Sequence, residues 1–203
     1  MEDITLTNTI SMIGLAIALA SVCGIRAFSP ILIVSILSKI GFIPLQSDFE
    51  WLSSTSALII LSIATLIEII AYFFPWVDSV LSAISTIVTP VAGIIVSCAV
   101  LDGFDPTFRW VFAVVAGGGI SEGVALIKMG IHFIVDVFTA GIAAPILSFI
   151  ENIVAICSSI LAFLIPILTA LFLLILITIG AIIVLLLLKK AVKKKSQKSA
   201  SYV

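Results

Sequence analysis

Charge is scarce in this sequence. Asp, Glu, Lys and Arg together make up 10% of its 203 residues, whereas hydrophobic residues make up 62%. A soluble domain of this length needs far more polar side-chain surface, so the composition excludes one. Apolar stretches long enough to cross a bilayer run through most of the chain. We therefore expect an all-α integral membrane protein with five or six transmembrane helices, some of them broken or re-entrant.

The residues from which enzymes build active sites are also missing. The chain has one histidine, and its three cysteines, Cys23, Cys98 and Cys157, are too far apart in the sequence to form a metal-ligand pair. It has neither a nucleophile elbow nor a phosphate-binding loop, because its triple glycine lacks the Lys-Ser/Thr that such a loop requires. We expect no enzymatic activity, no metal ion and no cofactor.

The few charges are unevenly distributed, with an acidic body and a basic tail. Six lysines lie in the last fifteen residues: Lys189, Lys190, Lys193, Lys194, Lys195 and Lys198. The positive-inside rule places this tail in the cytoplasm. Each lysine near the surface should attract anionic lipid headgroups by about 1 kcal/mol. We therefore expect a single helical transmembrane domain, 1–188, and a basic tail, 189–203, whose partners are membrane lipids and not nucleic acid.

The first apolar stretch is longer than one span. It runs from about residue 9 to residue 40, whereas about 20 residues cross the hydrocarbon core. Gly24, Arg26 and Pro30 interrupt it, so we expect a broken helix, or a span followed by a half-helix. The first ten residues lack the basic region of a signal peptide, and the run from Gly14 to Ala20 has no clear cleavage site, so we expect a retained N-terminal span.

A helical hairpin is predicted next. Residues 56–74 form an apolar span that carries Glu68, and residues 79–101 form a second span. Pro90 lies near the middle of the second span, and we expect a helix break there. The short interfacial turn between the two spans is expected at Pro75, Trp76 and Asp78.

Two tryptophans mark interfacial loops. Trp51 lies beside acidic residues at 48–50, and Trp110 lies near acidic residues at 102–105. Aromatic residues of this kind are typical of the membrane surface. The hairpin between them predicts that the two loops lie on the same side of the membrane.

Glycine and proline also interrupt the second half of the chain. Three glycines follow one another: Gly117, Gly118 and Gly119. Each weakens a helix by about 1 kcal/mol, so we expect a helix break or a close helix contact there, and a homo-oligomer is one consequence. Residues 131–150, which include Pro145, are interpreted as interfacial or re-entrant. Residues 152–188 are too long for one span, and Pro166 is predicted to divide them.

Arg26 and Glu68 are the most informative residues, because they lie in stretches that are otherwise apolar enough to be buried in lipid. Such side chains face a partner or a water-filled path. Arg26 is interpreted either as a fixed positive charge at a helix break, suited to an anionic headgroup or substrate, or as half of an ion pair with Glu68 that joins two helices. Both alternatives stay open, and Glu68 alone is also a candidate proton carrier.

Lys128, His132 and Asp136 recur every four residues, so they form one polar stripe on a continuous helix. The stripe is interpreted either as a relay of ionisable groups or as the wet outer face of an interfacial helix. A single polar face favours the interfacial helix. Glu122 lies off this stripe and follows the glycines, where it would line a cavity or lie near a helix end.

Several ordered motifs resemble those of one known family. They are Gly-Ile-Arg-Ala-Phe-Ser-Pro at 24–30, Trp-Leu-Ser-Ser at 51–54, Glu68 followed by Pro75 and by Val-Asp at 77–78, and Thr-Pro-Val-Ala-Gly at 89–93. The chain thereby resembles a family of small bacterial membrane proteins, domain of unknown function family 4126. This resemblance implies an all-helical fold and a location in the bacterial inner membrane, and it implies no particular activity.

The second half is similar to that family too. Lys128 stands in the place of the family's basic residue, and Pro145, Ser148 and the pair at 151–152 resemble its Asn-Pro…Ser…Glu-Asp segment. Two departures weaken the likeness, because Asn152 replaces an acid and Ala125 stands where the family's histidine is expected.

These observations predict a membrane transporter or channel for a small solute or ion. The residues expected to line or gate its path are Arg26, Glu68, Glu122 and Lys128. The secondary candidates are Asp78, His132, Asp136 and Glu151. The alternative function is a non-transporting membrane scaffold or lipid-binding protein, in which the same charges form structural pairs and the lysine tail holds anionic lipid.

Overall fold

In a computed structural model, residues 6–71, 75–139 and 144–200 are described, and within these ranges the chain forms helices and loops without a strand. The α-helices in chain order are α1 (Leu6–Ile25), α2 (Phe28–Lys39), α3 (Thr55–Ala71), α4 (Pro75–Val100), α5 (Pro106–Phe112), α6 (Gly119–Thr139), α7 (Ala144–Leu164) and α8 (Pro166–Ala200). A 3-10 helix, Ser47–Ser53, precedes α3, and a π-helical segment, Ala113–Gly118, joins α5 to α6. The all-α fold expected from the sequence is confirmed.

The described ranges contain four helical segments that are long and apolar enough to cross a membrane: Asn8–Ile25, Pro106–Thr139, Pro145–Leu164 and Pro166–Leu186. The 3-10 helix and α3 meet at an angle of 66° and make a fifth span when the bent pair is counted as one. The chain is therefore a multi-pass membrane protein. Counting the bent pair gives the lower of the two crossing numbers expected from the sequence.

Helix α1 lies at the centre of the bundle, in contact with α4, α6, α7 and α8. Almost every side chain between Ala16 and Cys23 is fully buried, and most of them are small. Small side chains let helices approach closely, which is the main source of helix association inside a membrane. Helix α2 packs mainly against α3 and α7.

The first apolar stretch is broken at Arg26 and Ala27, between α1 and α2. Pro30 lies in the first turn of α2, where a proline removes no helical hydrogen bond. Gly24 lies in the last turn of α1, and a Cβ there would come within 2.5 Å of the Ser121 carbonyl oxygen. Glycine at this position therefore lets the end of α1 touch α6.

Helix α4 contains two features that were expected to interrupt helices. It begins at Pro75, so the expected turn at Pro75, Trp76 and Asp78 is instead its first turn, a position that suits proline. Pro90 lies inside α4, and the helix continues to Val100. The prediction of a break at Pro90 is wrong, because neighbouring helices in a membrane protein support a helix across a proline.

The triple glycine likewise does not break its helix. Gly117 and Gly118 belong to the π-helical segment, α6 begins at Gly119, and the helical stretch continues from Pro106 to Thr139. A Cβ on Gly117 would lie 2.5 Å from the hydroxyl oxygen of Ser97 in α4. Of the two predicted outcomes, the close helix contact is the one observed, and it forms within the chain.

The interfacial or re-entrant piece expected at residues 131–150 belongs to two long helices. Its first part continues α6, and Pro145 lies in the first turn of α7. Residues 140–143, between the two helices, lie outside the described ranges. Further on, α7 ends at Leu164 and α8 begins at Pro166, the predicted point of division.

The two loops expected on one side of the membrane meet in the structure. Arg109 Nη2 lies 3.1 Å from Asp48 Oδ2, and the rings of Phe49 and Trp110 are 6.2 Å apart between their centres. The Arg109 side chain is almost fully buried, whereas that of Asp48 is exposed. This ion pair ties the 3-10 helix to α5.

Candidate functional site

The interruption between α1 and α2 places two helix ends inside the protein. Helix α1 ends at Ile25 and α2 begins at Phe28. A helix end leaves backbone groups without intrahelical partners: carbonyls at the carboxyl end and N–H groups at the amino end. The carboxyl end also carries partial negative charge and the amino end partial positive charge. Each end is therefore stabilised by a group of the opposite charge.

Glu68 of α3 supplies the negative group at the amino end of α2. Its Oε1 accepts a hydrogen bond from the backbone N–H of Ala27 at 3.0 Å, and its Oε2 accepts one from Phe28 at 3.3 Å. Glu68 is 7% exposed. A carboxylate at this place satisfies two backbone donors and complements the helix dipole.

Lys128 of α6 supplies the positive group at the carboxyl end of α1. Its Nζ donates a hydrogen bond to the carbonyl oxygen of Ile25 at 2.8 Å. Basic side chains near a helix carboxyl end bind its last carbonyls in this way. Two side chains from different helices, an acid and a base, thus hold the two ends of the break.

Glu151 of α7 is the centre of a second group of contacts. Its Oε2 lies 3.4 Å from Arg26 Nη2 and 4.0 Å from Lys128 Nζ, and its Oε1 lies 2.7 Å from His132 Nε2. Arg26 Nη2 also donates a hydrogen bond to the carbonyl oxygen of Ser148 at 2.8 Å. Three basic side chains therefore converge on one carboxylate inside the bundle.

Of the two alternatives for Arg26, the ion pair with Glu68 is corrected by these contacts. Arg26, whose side chain is fully buried, forms an ion pair with Glu151. Glu68 is turned towards the backbone of α2. The physical reason is that the amino end of α2 offers Glu68 two N–H donors, while α7 brings a second carboxylate to the guanidinium group.

A small cavity of about 40 Å³ lies between Glu68 and Lys128. Ser85 and Thr89, one turn apart on α4, also line it, as does Ile25. One water molecule needs about 10–15 Å³ of cavity volume, so this cavity has room for a few water molecules or a small ion. It is the place where both ends of the broken helix, an acid and a base meet.

A larger cleft of about 200 Å³ lies between α6, α7 and α8. Its walls are mainly isoleucine, leucine and valine side chains, with Lys128 and Glu151 among them. Ile25 and Lys128 line both the cavity and the cleft. These two residues therefore lie between the cavity and the cleft, both of which have mainly apolar walls.

The polar stripe on α6 faces inward for two of its three residues. Lys128 and His132 reach Ile25 and Glu151, whereas Asp136 is exposed. The favoured interpretation of a wet outer face is therefore wrong for Lys128 and His132, because α7 presents a carboxylate to that side of α6.

Glu122 is not brought into this group by the described contacts. It is half-buried, and its Oε2 is enclosed without a hydrogen-bond partner in the described part of the chain. It lines neither the cavity nor the cleft. Of the tail lysines, Lys189 is exposed. The side chains of further candidates lie outside the described residues: Asp78, Lys190, Lys193, Lys194 and Lys195.

Several members of the site were not singled out from the sequence. The carbonyls of Ile25 and Ser148 are backbone groups, for which no side chain gives a signal. Ser85 and Thr89 did offer one, since two hydroxyls four residues apart lie on one face of a membrane helix. Across the described ranges, no three His, Cys, Asp or Glu side chains lie close enough together to hold a metal ion.

Comparison with known protein families gives a match over most of the chain. A family model described as Domain of unknown function (DUF4126) matches residues 13–186, a range that includes the break and all of its partners. No curated protein and no solved structure matches the chain.

Proposed function

The chain belongs to the DUF4126 family, whose description names no activity, and we propose that it moves a small solute or ion across the membrane as a transporter or channel. One observation carries this proposal: Glu68 and Lys128 line a single cavity while each holds one end of an interrupted membrane helix. The path we propose passes through this cavity.

Charged side chains inside a membrane protein are costly, so those that are kept have a partner or a role. Transporters with interrupted helices place helix ends and charged groups around the substrate near the middle of the bilayer. Here a solute that binds in the cavity would compete with Lys128 for the Ile25 carbonyl, or with the backbone N–H groups for Glu68. Its binding would loosen the break, and so would couple occupancy to the relative position of α1 and α2.

The other parts of the proposal rest on the sequence. The family resemblance favours the bacterial inner membrane, and the lysine tail favours a cytoplasmic C-terminus. The protein is proposed to act without chemistry on its solute, because the buried charges are engaged in holding helix ends and one another.

A second candidate function is lipid binding or scaffolding. The apolar cleft between α6, α7 and α8 supports it, because an acyl chain would fit against the isoleucine, leucine and valine side chains of the cleft. The lysine tail would hold anionic headgroups. Gly119, where an added Cβ would meet open space, remains the glycine suited to contact with a second copy of the chain.

The test is flux across proteoliposomes that contain either the wild-type protein or Glu68→Gln. Glutamine keeps the shape of the side chain and one acceptor oxygen for the α2 backbone, but it removes the charge. We expect the wild type to conduct or transport at least one of a series of ions, protons or small solutes, and Glu68→Gln to lose that flux.

The matched control is Glu50→Gln, the same chemical change at an exposed residue of the 3-10 helix. It should leave flux unchanged, while thermal unfolding of all three proteins shows that each is folded. Flux retained in Glu68→Gln would remove this residue from the path. Wild-type protein that moves none of the ions or protons under any gradient would favour the lipid-binding function instead.

A further inference from the structure

The ammonium group of Lys128 lies at a place where transporters with interrupted helices bind a cation. In such proteins the carboxyl end of a half-helix and nearby unwound carbonyls coordinate Na⁺ or hold a proton. We infer that the Lys128 ammonium takes the place of a bound alkali cation at the carboxyl end of α1. The carboxyl end of α1 is then stabilised by a positively charged side chain and not by a bound ion.

Lys128 lies among oxygen groups of the kind that an alkali cation prefers, in a cavity whose other walls are apolar. Its Nζ binds the Ile25 carbonyl at 2.8 Å, and the cavity beside it is lined by Glu68, Ser85 and Thr89 together with apolar residues such as Phe28, Ile84 and Val88. Carbonyl, carboxylate and hydroxyl oxygens are the ligands of hard cations. A metal ion in the same cavity would lie beside an ammonium group of the same sign, so the two exclude each other.

The formal charges around the break also balance without an added ion. Arg26 and Lys128 contribute two positive charges, and Glu68 and Glu151 contribute two negative charges when both are ionised. His132, which contacts Glu151, adds none in its neutral form. Removing the ammonium group would therefore leave one net negative charge in a buried place, which a small cation from solution would offset.

The assignment has a consequence for transport, and this part rests on the proposed function. A transport cycle in which a lysine side chain occupies the cation position needs neither Na⁺ nor K⁺ as a coupling ion. The assignment of the cation position itself rests on the contacts of Lys128, the lining of the cavity and the charge balance, none of which requires transport.

The experiment measures the melting temperature of detergent-solubilised protein in chloride salts of choline, sodium, potassium and methylammonium at equal concentration. The wild type should melt at the same temperature in all four. Lys128→Ala removes the ammonium group and opens space beside the cavity. At ten times its dissociation constant, a small cation should raise the melting temperature of this variant by about 3 to 6 °C relative to choline.

Lys128→Met is the matched control, because methionine fills the space with an apolar side chain and leaves little room for a cation. It should not respond to the salt. The inference is overturned if Lys128→Ala gains nothing from any of the small cations, or if the wild type itself is stabilised by sodium or potassium.

Where Lys128→Ala cannot be purified, the wild-type arm still tests the assignment, since an alkali-dependent rise in its melting temperature refutes it. Purification of Lys128→Ala in methylammonium but not in choline would be a positive result. The melting experiment does not depend on transport. A protein that shows no flux in proteoliposomes would therefore contradict the proposed function without affecting the test of the cation position.

Discussion

Glu151→Gln should strongly destabilise the protein, because the Glu151 carboxylate neutralises a fully buried arginine. Arg26 Nη2, Lys128 Nζ and His132 Nε2 lie 3.4, 4.0 and 2.7 Å from its two oxygens. Glutamine preserves the size of the side chain and one acceptor oxygen, so the packing of α7 is kept. What is lost is the negative charge, and the Arg26 guanidinium then stays buried next to a second positive group.

The magnitude follows from the burial of Arg26, whose side chain is 0% exposed. Removing one partner of a buried ion pair costs about 3–5 kcal/mol. A chain of this length loses about 2–4 °C of melting temperature per kcal/mol, so we expect a fall of about 6–20 °C. Arg26→Met should cost less, about 1.5–3 kcal/mol, because Glu151 keeps His132 and Lys128 as partners.

The assay is thermal unfolding of the purified single and double variants in detergent. The double replacement of Arg26 and Glu151 should be more stable than the sum of the two single losses by about 0.5–3 kcal/mol, since no isolated charge is left. Glu50→Gln, at an exposed position, should cost less than about 0.5 kcal/mol. A loss below about 1 kcal/mol in Glu151→Gln, or strict additivity in the double variant, would refute the reasoning.

Two further predictions concern packing and the tail. Gly117→Ala should destabilise the protein by about 1–3 kcal/mol, because the added Cβ would meet α4. Gly119→Ala, where an added Cβ has no atom within 4 Å, should stabilise the protein by up to about 1 kcal/mol. Equal melting temperatures for the two variants would contradict the close contact between Gly117 and α4. Deleting residues 193–203 should reduce the amount of anionic lipid that co-purifies with the protein, measured by mass spectrometry, without lowering the melting temperature of the protein. An unchanged amount of bound lipid would contradict the role assigned to the tail.

The features that the sequence predicted correctly depend on local chemistry. The composition predicted a membrane protein, and the Gly24, Arg26 and Pro30 cluster predicted the broken first stretch. The hairpin predicted that the loops of Asp48 and Arg109 lie on the same side of the membrane, and these two residues meet. In each case the prediction needs only the type of a residue and its neighbours along the chain. A charged residue changes the cost of burying its segment in lipid, and a proline changes the helix that contains it.

The features that could not be predicted depend on which faces of the helices meet. In a soluble protein an apolar face points inward, but lipid is as apolar as the protein interior, so the pattern of a membrane helix does not show which face is buried. Many isoleucine and leucine side chains are accordingly exposed on this bundle. The ion-pair alternative for Arg26 therefore named Glu68 as the partner, and the favoured interpretation of Lys128 and His132 placed them on an outer face.

The pairing of Arg26 with Glu151 also has a consequence for how the chain is made. Arg26 enters the membrane early, but Glu151 follows 125 residues later. At about 5–20 residues per second, synthesis takes about 6–25 s to supply that carboxylate. During this interval the nascent α1 and α2 are present without α6 and α7, which carry Lys128 and Glu151. The central helix of the mature bundle is thus synthesised before the helices α4, α6, α7 and α8 that it contacts, and its last contacts form only after the second half of the chain has been inserted.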